Sequence, residues 1–192
     1  MKTDLCILAA GFSSRFHGNK LLTEYGGKTM IEHLLHRIDA SVFENVYVVS
    51  QYERILTMSK ACGFVPIQNP HPEWGLSSSI HCGIQACTSD QIVFLVADQP
   101  RIQMDTLYRL LEQSDGMHIV SSCVRGTLRN PMLFPRSFFP ELLALKGDQG
   151  AKRVALRHSC RRIEVDPEEL VDVDTNAALA SLCSLNVERK DK

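Results

Sequence analysis

Short runs rich in Val, Ile, Leu and Phe recur along this chain, separated by segments whose apolar residues fall at helical spacing. This alternation constrains the fold most. Strands that read as continuous apolar runs are buried on both faces, and parallel strands need crossover helices to cover them. Candidate strands are residues 4–9 (Asp4, Leu5, Cys6, Ile7, Leu8, Ala9), 45–50, 64–67, 92–97 (Ile92, Val93, Phe94, Leu95, Val96, Ala97) and 117–122, the first and fourth reading as the most buried. Met30, Ile31, Leu34, Leu35 and Ile38 form one apolar helical stripe, and Met104, Leu107, Leu110 and Leu111 form another. The expected class is α/β, three-layered, with a mostly parallel central sheet. In the second half Pro131, Pro135 and Pro140 punctuate short segments, and residues 132–134 read as an edge strand.

At 192 residues and 44% hydrophobic content the chain can bury one substantial core, so residues 1–192 are read as a single domain with 186–192 as a frayed tail. Twenty-one basic against 22 acidic residues argue against nucleic acid or an anionic membrane surface as partner, leaving a small molecule. No window approaches the roughly 20 apolar residues of a membrane span, and Met1 runs directly into a core strand, so a cytoplasmic location is expected. Seven cysteines, an odd number without a C-x-x-C pair, indicate neither a zinc site nor a disulfide framework and read as reduced, mostly buried thiols. His33 and His36 share a helix face without further ligands nearby and read as solvated or capping residues.

Chemistry concentrates in five places. After the first strand, Leu8, Ala9, Ala10, Gly11, Ser13 and Ser14 bring small residues and free backbone N–H groups together, followed by two spaced cations, Arg15 and Lys20. This is a seat for a polyphosphate, and its glycine spacing fits neither a dinucleotide fold nor a P-loop. A plain strand-to-helix turn with solvated cations is the other reading. Strand 92–97 runs into Asp98-Gln99-Pro100, placing a carboxylate where open α/β sheets bind ligands and where Mg²⁺ takes one or two carboxylates plus phosphate oxygens. A turn aspartate before Pro100 remains open. Asp172 and Asp174, read as alternating on one strand face before a helix, offer further carboxylates, with helix capping an equal alternative for Asp174.

Residues 69–83 form a loop through Pro70, Pro72 and Gly75, followed by a helix whose serines, Ser77 to Ser79, could present N–H groups and hydroxyls to a base edge or simply cap it. Trp74, the single tryptophan, reads as a core anchor in preference to a stacking wall. Gly147, Asp148 and Gly150 make a turn into a basic helix with Lys152, Arg153 and Arg157, a place for an anionic substrate end or an ordinary cap.

Taken in order, LAAGFSSRFHGNKLL, NPHPEWGLSSSIHCG, VADQP, LRNPMLF, LKGDQGAKRV and VDVDT resemble the molybdenum cofactor cytidylyltransferases, within the molybdopterin-type nucleotidyltransferases. The resemblance spans nearly the whole chain. It implies a three-layer Rossmann-like nucleotidyltransferase fold, transfer of CMP from CTP to the phosphate of a molybdopterin-type acceptor, and release of pyrophosphate. Arg15, Lys20 and Asp98 would be catalytic. Leu8, Ala9, Ala10, Gly11, Ser13, Ser14, Arg15, Lys20, Asn69, Gly75, Ser78 and Ser79 would bind nucleotide, Asp98 and Asp174 would hold Mg²⁺, and Asn130, Pro131, Gly147, Asp148 and Gly150 would face the acceptor. A molybdoenzyme or its maturation factor would be a further partner. Ala10 and the Asp-Gln-Pro at 98–100 resemble the cytidylyl branch more than the guanylyl branch.

Three departures stand out: Arg15-Phe16-His17 in place of Arg-Met-Gly, Arg129-Asn130-Pro131 in place of Gly-His-Pro, and Asp174-Thr175-Asn176-Ala177-Ala178 in place of Asp-Thr-Pro-Glu-Asp. Guanylyl transfer, transfer to a sugar or polyol phosphate, and non-catalytic delivery of a finished cofactor by the same fold are the alternatives.

Overall fold

The computed structural model describes residues 1–12 and 19–173. The central sheet takes strands from both halves of the chain: β1 (Thr3–Leu8), β4 (Val46–Ser50), β5 (Val65–Gln68), β6 (Gln91–Val96), β7 (Ile119–Val124), β8 (Thr127–Pro135) and β9 (Cys160–Glu164). Their order is β5-β4-β1-β6-β8-β7-β9. Neighbours are parallel at β5–β4, β4–β1, β1–β6 and β7–β9, and antiparallel where β8 meets β6 and β7, so β8 alone runs against the rest. The mostly parallel sheet is therefore as the alternation predicts.

Pleating sends successive side chains to opposite faces, and β1 shows the division directly. Leu5 and Ile7 join one core with Met30, Ile31, Leu34 and Leu35 of α1 (Met30–Leu35), Ile55 of α2 (Glu53–Ala61), and Leu107 and Leu110 of α4 (Met104–Glu112). Cys6 and Leu8 join the other with Ile80 and Ile84 of α3 (Leu76–Ala86), Phe139 and Leu142 of α5 (Phe139–Leu143), and Val154 of α6 (Lys152–Ala155). Two helical layers thus sandwich the sheet.

α1 begins at a reciprocal cap in which Thr29 accepts from the Glu32 N–H while the Glu32 carboxylate accepts from the Thr29 N–H. His36 caps its other end, as a capping role predicts, whereas His33 is neither solvated nor a cap: it is part-buried, stacked on Tyr25 with Nε2 2.7 Å from Tyr25 O. Phe94 and Phe134 meet edge to face on the α3 side. Cys6, Cys87 and Cys123 are buried, and burial pushes the Cys87 thiol up to about 12 and the Cys123 thiol to about 11, so both are packed as neutral groups.

Several expectations need correction. The run at 132–134 is not an edge strand: β8 lies between β6 and β7, and the ladder shifts between the Ser121–Met132 and Ser122–Arg129 pairs. Asn130 and Pro131 fall in that bulge, where a residue without an N–H costs no ladder bond. Residues 170–173 are not a strand but a 3-10 turn, Pro167–Leu170, followed by irregular chain. Trp74 is not a core residue. It stands 60% exposed at the end of a 3-10 turn because Leu76, Ile80 and Ile84 already fill the apolar line of α3. The basic helix after Gly150 is a single turn, so Arg157 lies beyond it.

Near the amino end of β1, an interior strand, Asp4 is fully buried. It accepts hydrogen bonds from the Ser89 hydroxyl at 2.8 Å, the Asn45 amide at 3.0 Å and the Thr88 N–H at 3.0 Å. Burial alone would raise its pKa, but these bonds outweigh it and hold the carboxyl below the ordinary value. A lowered folded pKa means stability that is present above about pH 4 and is lost as pH falls through the folded value. Thermal melts should therefore show wild type losing stability more steeply than Asp4→Asn below about pH 4. Separately, Phe94→Ala should lower unfolding free energy by about 3–5 kcal/mol, measured by urea denaturation, because it empties a site with no solvent access.

Candidate active site

β1 and β6 pair in parallel through Leu8↔Val96, and the ladder continues one step further with the Ala97 N–H donating to Leu8 O at 3.0 Å. The turn after β1 and the carboxylate after β6 therefore emerge side by side. The carbonyls of Ala9, Ala10 and Gly11 accept in turn from Ser50 Oγ at 2.9 Å, Gln51 Nε2 at 2.7 Å and Tyr52 Oη at 3.1 Å. Three consecutive residues at the end of β4 thus fix the peptide planes of the turn, a positioning role that the sequence reading did not assign. Ser13, Ser14 and Arg15 lie outside the described residues.

Lys20 starts a 3-10 turn capped by Asn19, whose side chain accepts from the Leu21 N–H at 2.9 Å. Its Nζ donates to Asp98 Oδ2 at 2.8 Å, with both side chains largely withdrawn from water. The other oxygen, Asp98 Oδ1, is buried and has no hydrogen-bond partner among the described residues. A buried, unbonded carboxylate oxygen is costly unless something cationic meets it, so this atom fits a hard divalent ion. Among the described residues no group of three or more acidic, histidine or cysteine side chains could by itself hold a metal. An ion at Asp98 would thus take its further ligands from beyond the described side chains, substrate oxygens and water among them. Val173 donates its N–H to Asp98 O at 3.0 Å, and Gln99 Nε2 donates to Asp172 Oδ1 at 3.0 Å. The acidic segment consequently docks on the Asp98 loop, whereas Asp174 lies outside the described residues.

Lys20 and Asp98 line one cavity of about 280 Å³, together with Leu8, Ala9, Ala10, Gly11, Gly75, Ser79 and Asp148. Phe12, Leu76 and Pro72 also line it, and no polar motif marked them in the sequence. Ser78 and Gly147 instead line a second cavity of about 410 Å³, which shares Gly75 and Asp148 with the first. Asn69 is 3% exposed and lies behind the wall, its amide donating to Ser78 Oγ at 2.8 Å and Ser79 Oγ at 3.0 Å. Gly150 sits against Leu76, and Asn130 and Pro131 line neither cavity.

The start of α3 is less open than its serines suggest. The Ser77 N–H donates to Gly147 O at 3.0 Å, the Ser78 N–H to Gly75 O, and the Ser78 hydroxyl to Gly75 O at 2.8 Å. Gly75 has φ +79°, and a Cβ there would lie 2.5 Å from Asp148 Oδ1 and 2.6 Å from the Gly147 carbonyl carbon. The Gly147–Asp148 turn is thus pressed onto the residue before α3, which only glycine allows.

A turn of small residues beside a Lys–Asp pair at the carboxyl ends of parallel strands marks an α/β protein whose candidate ligand site lies where open sheets bind ligands. More narrowly, residues 5–163 match the MobA-like NTP transferase domain, and the chain belongs to that family of nucleotidyltransferases. The resemblance to molybdopterin-type nucleotidyltransferases stands. The chain is similar to the purine catabolism protein PucB of Bacillus subtilis, 32% identical over 88% of this chain and 89% of that protein. It is also similar to the molybdenum cofactor guanylyltransferase of Vibrio campbellii, 26% identical over 96% of each. Its fold is shared with an Rv0371c homologue from Mycobacterium sp. strain JC1, at TM-score 0.83 and 25% identity over 98% of this chain and 99% of that one. A nucleotidyl transferase from Methanothermobacter superposes at TM-score 0.86 with 19% identity, covering 98% and 99%.

Gly75→Ala should break the contact between the two loops. The expected result is loss of most nucleotide-dependent activity with a stability loss of about 1–3 kcal/mol, read by turnover and urea midpoint on the same preparation.

Proposed function

We propose that this protein transfers CMP from CTP to the phosphate of a molybdopterin-type acceptor, releasing pyrophosphate, with Mg²⁺ at Asp98. The observation that carries this reading is the Lys20–Asp98 pair at the mouth of the β1 turn, with one Asp98 oxygen bonded to Lys20 and the other buried and unbonded. Mg²⁺, when bound, would neutralise charge on the phosphate oxygens, and Asp174 is proposed as its second protein ligand. Lys20, held in place by Asp98 Oδ2, is oriented towards the α-phosphate. The turn from Leu8 to Gly11, with Ser13 and Ser14, cradles the triphosphate, and Arg15 balances charge on the departing pyrophosphate.

An acceptor phosphate oxygen forms the new bond to the α-phosphorus while the bond from that phosphorus to the bridging oxygen of the β-phosphate breaks. The nucleophile is already anionic, so no general base is needed, and catalysis rests on positioning and charge stabilisation. Free cysteines and the absence of any helix long and apolar enough to cross a membrane among the described residues suit a cytoplasmic reaction.

CTP is favoured because Ala10, which lines the cavity, and the Asp-Gln-Pro at 98–100 resemble the cytidylyl branch more than the guanylyl branch. The names of the guanylyltransferase relatives support GTP as the second reading. Pyrophosphate release by purified protein with Mg²⁺ and molybdopterin acceptor should be faster with CTP than with GTP, ATP or UTP. Preferential release with GTP would replace the cytidylyl reading. Asp98→Ala should lower kcat by roughly 10²-fold or more in that assay, the scale of losing a preorganised charge partner. Ala10→Gly should raise the GTP-to-CTP ratio of kcat/KM by about tenfold, the effect of one methyl group in a pocket.

A further inference from the structure

The second cavity, about 410 Å³, lies between the start of α3 and the turn at Lys146–Asp148 and joins the reaction cavity at Gly75 and Asp148. Two-substrate transfer needs space for both partners at once. The reaction cavity, at about 280 Å³, falls just below the usual range of about 300–1,000 Å³ for a single small-molecule site. The second cavity has the features of a seat for a flat polar ring. Trp74 is 60% exposed, and the His71 imidazole stacks on it, centroids 3.9 Å apart and planes 11° apart. That stack holds the indole as a fixed plane. One turn into α3, His81 lines the cavity, and its Nε2 is buried without a hydrogen-bond partner among the described residues. A buried unbonded ring nitrogen is costly, and a ligand that supplies a hydrogen bond would relieve it. Lys146 and Asp148 add one donor and one acceptor at the rim.

We propose that this cavity seats the planar, hydrogen-bonding heterocycle of the acceptor, with Trp74 as stacking surface and His81 as hydrogen-bond partner. This rests on the acceptor class proposed above. The shared wall at Gly75 and Asp148 then sets how the acceptor's phosphate reaches the α-phosphorus beside Lys20 and Asp98. Trp74 and His81 are binding residues here and take no part in bond making.

The chain has one tryptophan, so a ¹H–¹⁵N spectrum carries a single indole signal that reports on this cavity. Full-length protein is titrated with phosphate-free pterin (2-amino-4-oxopteridine) and, separately, with cytidine. The expected result is that pterin shifts the Trp74 indole signal and cytidine does not, that pterin still binds with CTP present, and that His81→Leu weakens pterin binding by about tenfold or more. Trp74→Ala, followed by calorimetry, should weaken pterin binding to a similar degree, and unchanged urea midpoints would show that both variants fold. A shift with cytidine alone would make the cavity a nucleobase seat and overturn the assignment, as would no shift with either probe or His81→Leu binding pterin like wild type. No step of this titration requires turnover. A chain that binds pterin here yet releases no pyrophosphate would fail as a transferase while keeping this site, and the reverse result would do the opposite.

Discussion

The parallel pairing of β1 with β6 is the constraint on which the rest of the molecule depends. Residues about ninety positions apart in sequence are locked in register from Thr3↔Gln91 to Leu8↔Val96. Because both strands point the same way, the two chain segments that leave them emerge at one edge of the sheet. One is a turn of small residues and the other carries Asp98. An antiparallel pairing would have put them at opposite ends. Burial of alternate residues on both faces fixes the register, since a slip of one residue would turn Leu5 and Ile7 into the wrong core.

On that edge the site is assembled by short, specific contacts. Ser50, Gln51 and Tyr52 hold successive carbonyls of the β1 turn, and Val173 bonds to Asp98 O. The turn at Gly147–Asp148 is held against α3 by the Ser77–Gly147 hydrogen bond and by the missing side chain of Gly75. Each contact joins residues distant in sequence, so the electrostatic centre at Lys20 and Asp98 sits in a frame whose parts constrain one another. That rigidity matters for phosphoryl chemistry, where placement of charge does most of the catalysis.

Strands with a continuous apolar reading were legible in the sequence. β1 and β6 differ from the expected 4–9 and 92–97 by one residue at each end, and α4 runs Met104–Glu112 as its apolar stripe predicts. Elements with a weak or polar pattern were not. β9 carries exposed Arg161, Arg162 and Glu164 with Ile163 its one fully buried residue, an edge-strand pattern with little apolar signal to reveal it. The β2–β3 hairpin (Glu24–Tyr25, Lys28–Thr29) also went unread, although Gly26 and Gly27, with φ of 58° and 82°, are the usual signal for a two-residue hairpin turn. Pro131 misled the reading of β8, because a proline normally argues for an edge and here sits in an interior bulge. At the site, Lys20, Asp98 and the β1 turn were readable from residue type and spacing. The supports from Gln51 and Tyr52, and the buried, unbonded nitrogen of His81, have no local signature.

By itself the sequence determined the class of fold, the strand that delivers the turn of small residues and the carboxylate at the end of β6, because hydrophobic period and charged residue type are local properties. Tertiary structure alone decided which groups meet. Proximity between Lys20 and Asp98, the commitment of Asn69 and Ser78 to internal hydrogen bonds, and the exposure of Trp74 all depend on sheet order and loop docking. Those are long-range arrangements, set by which buried surfaces fit together, and no single segment encodes them.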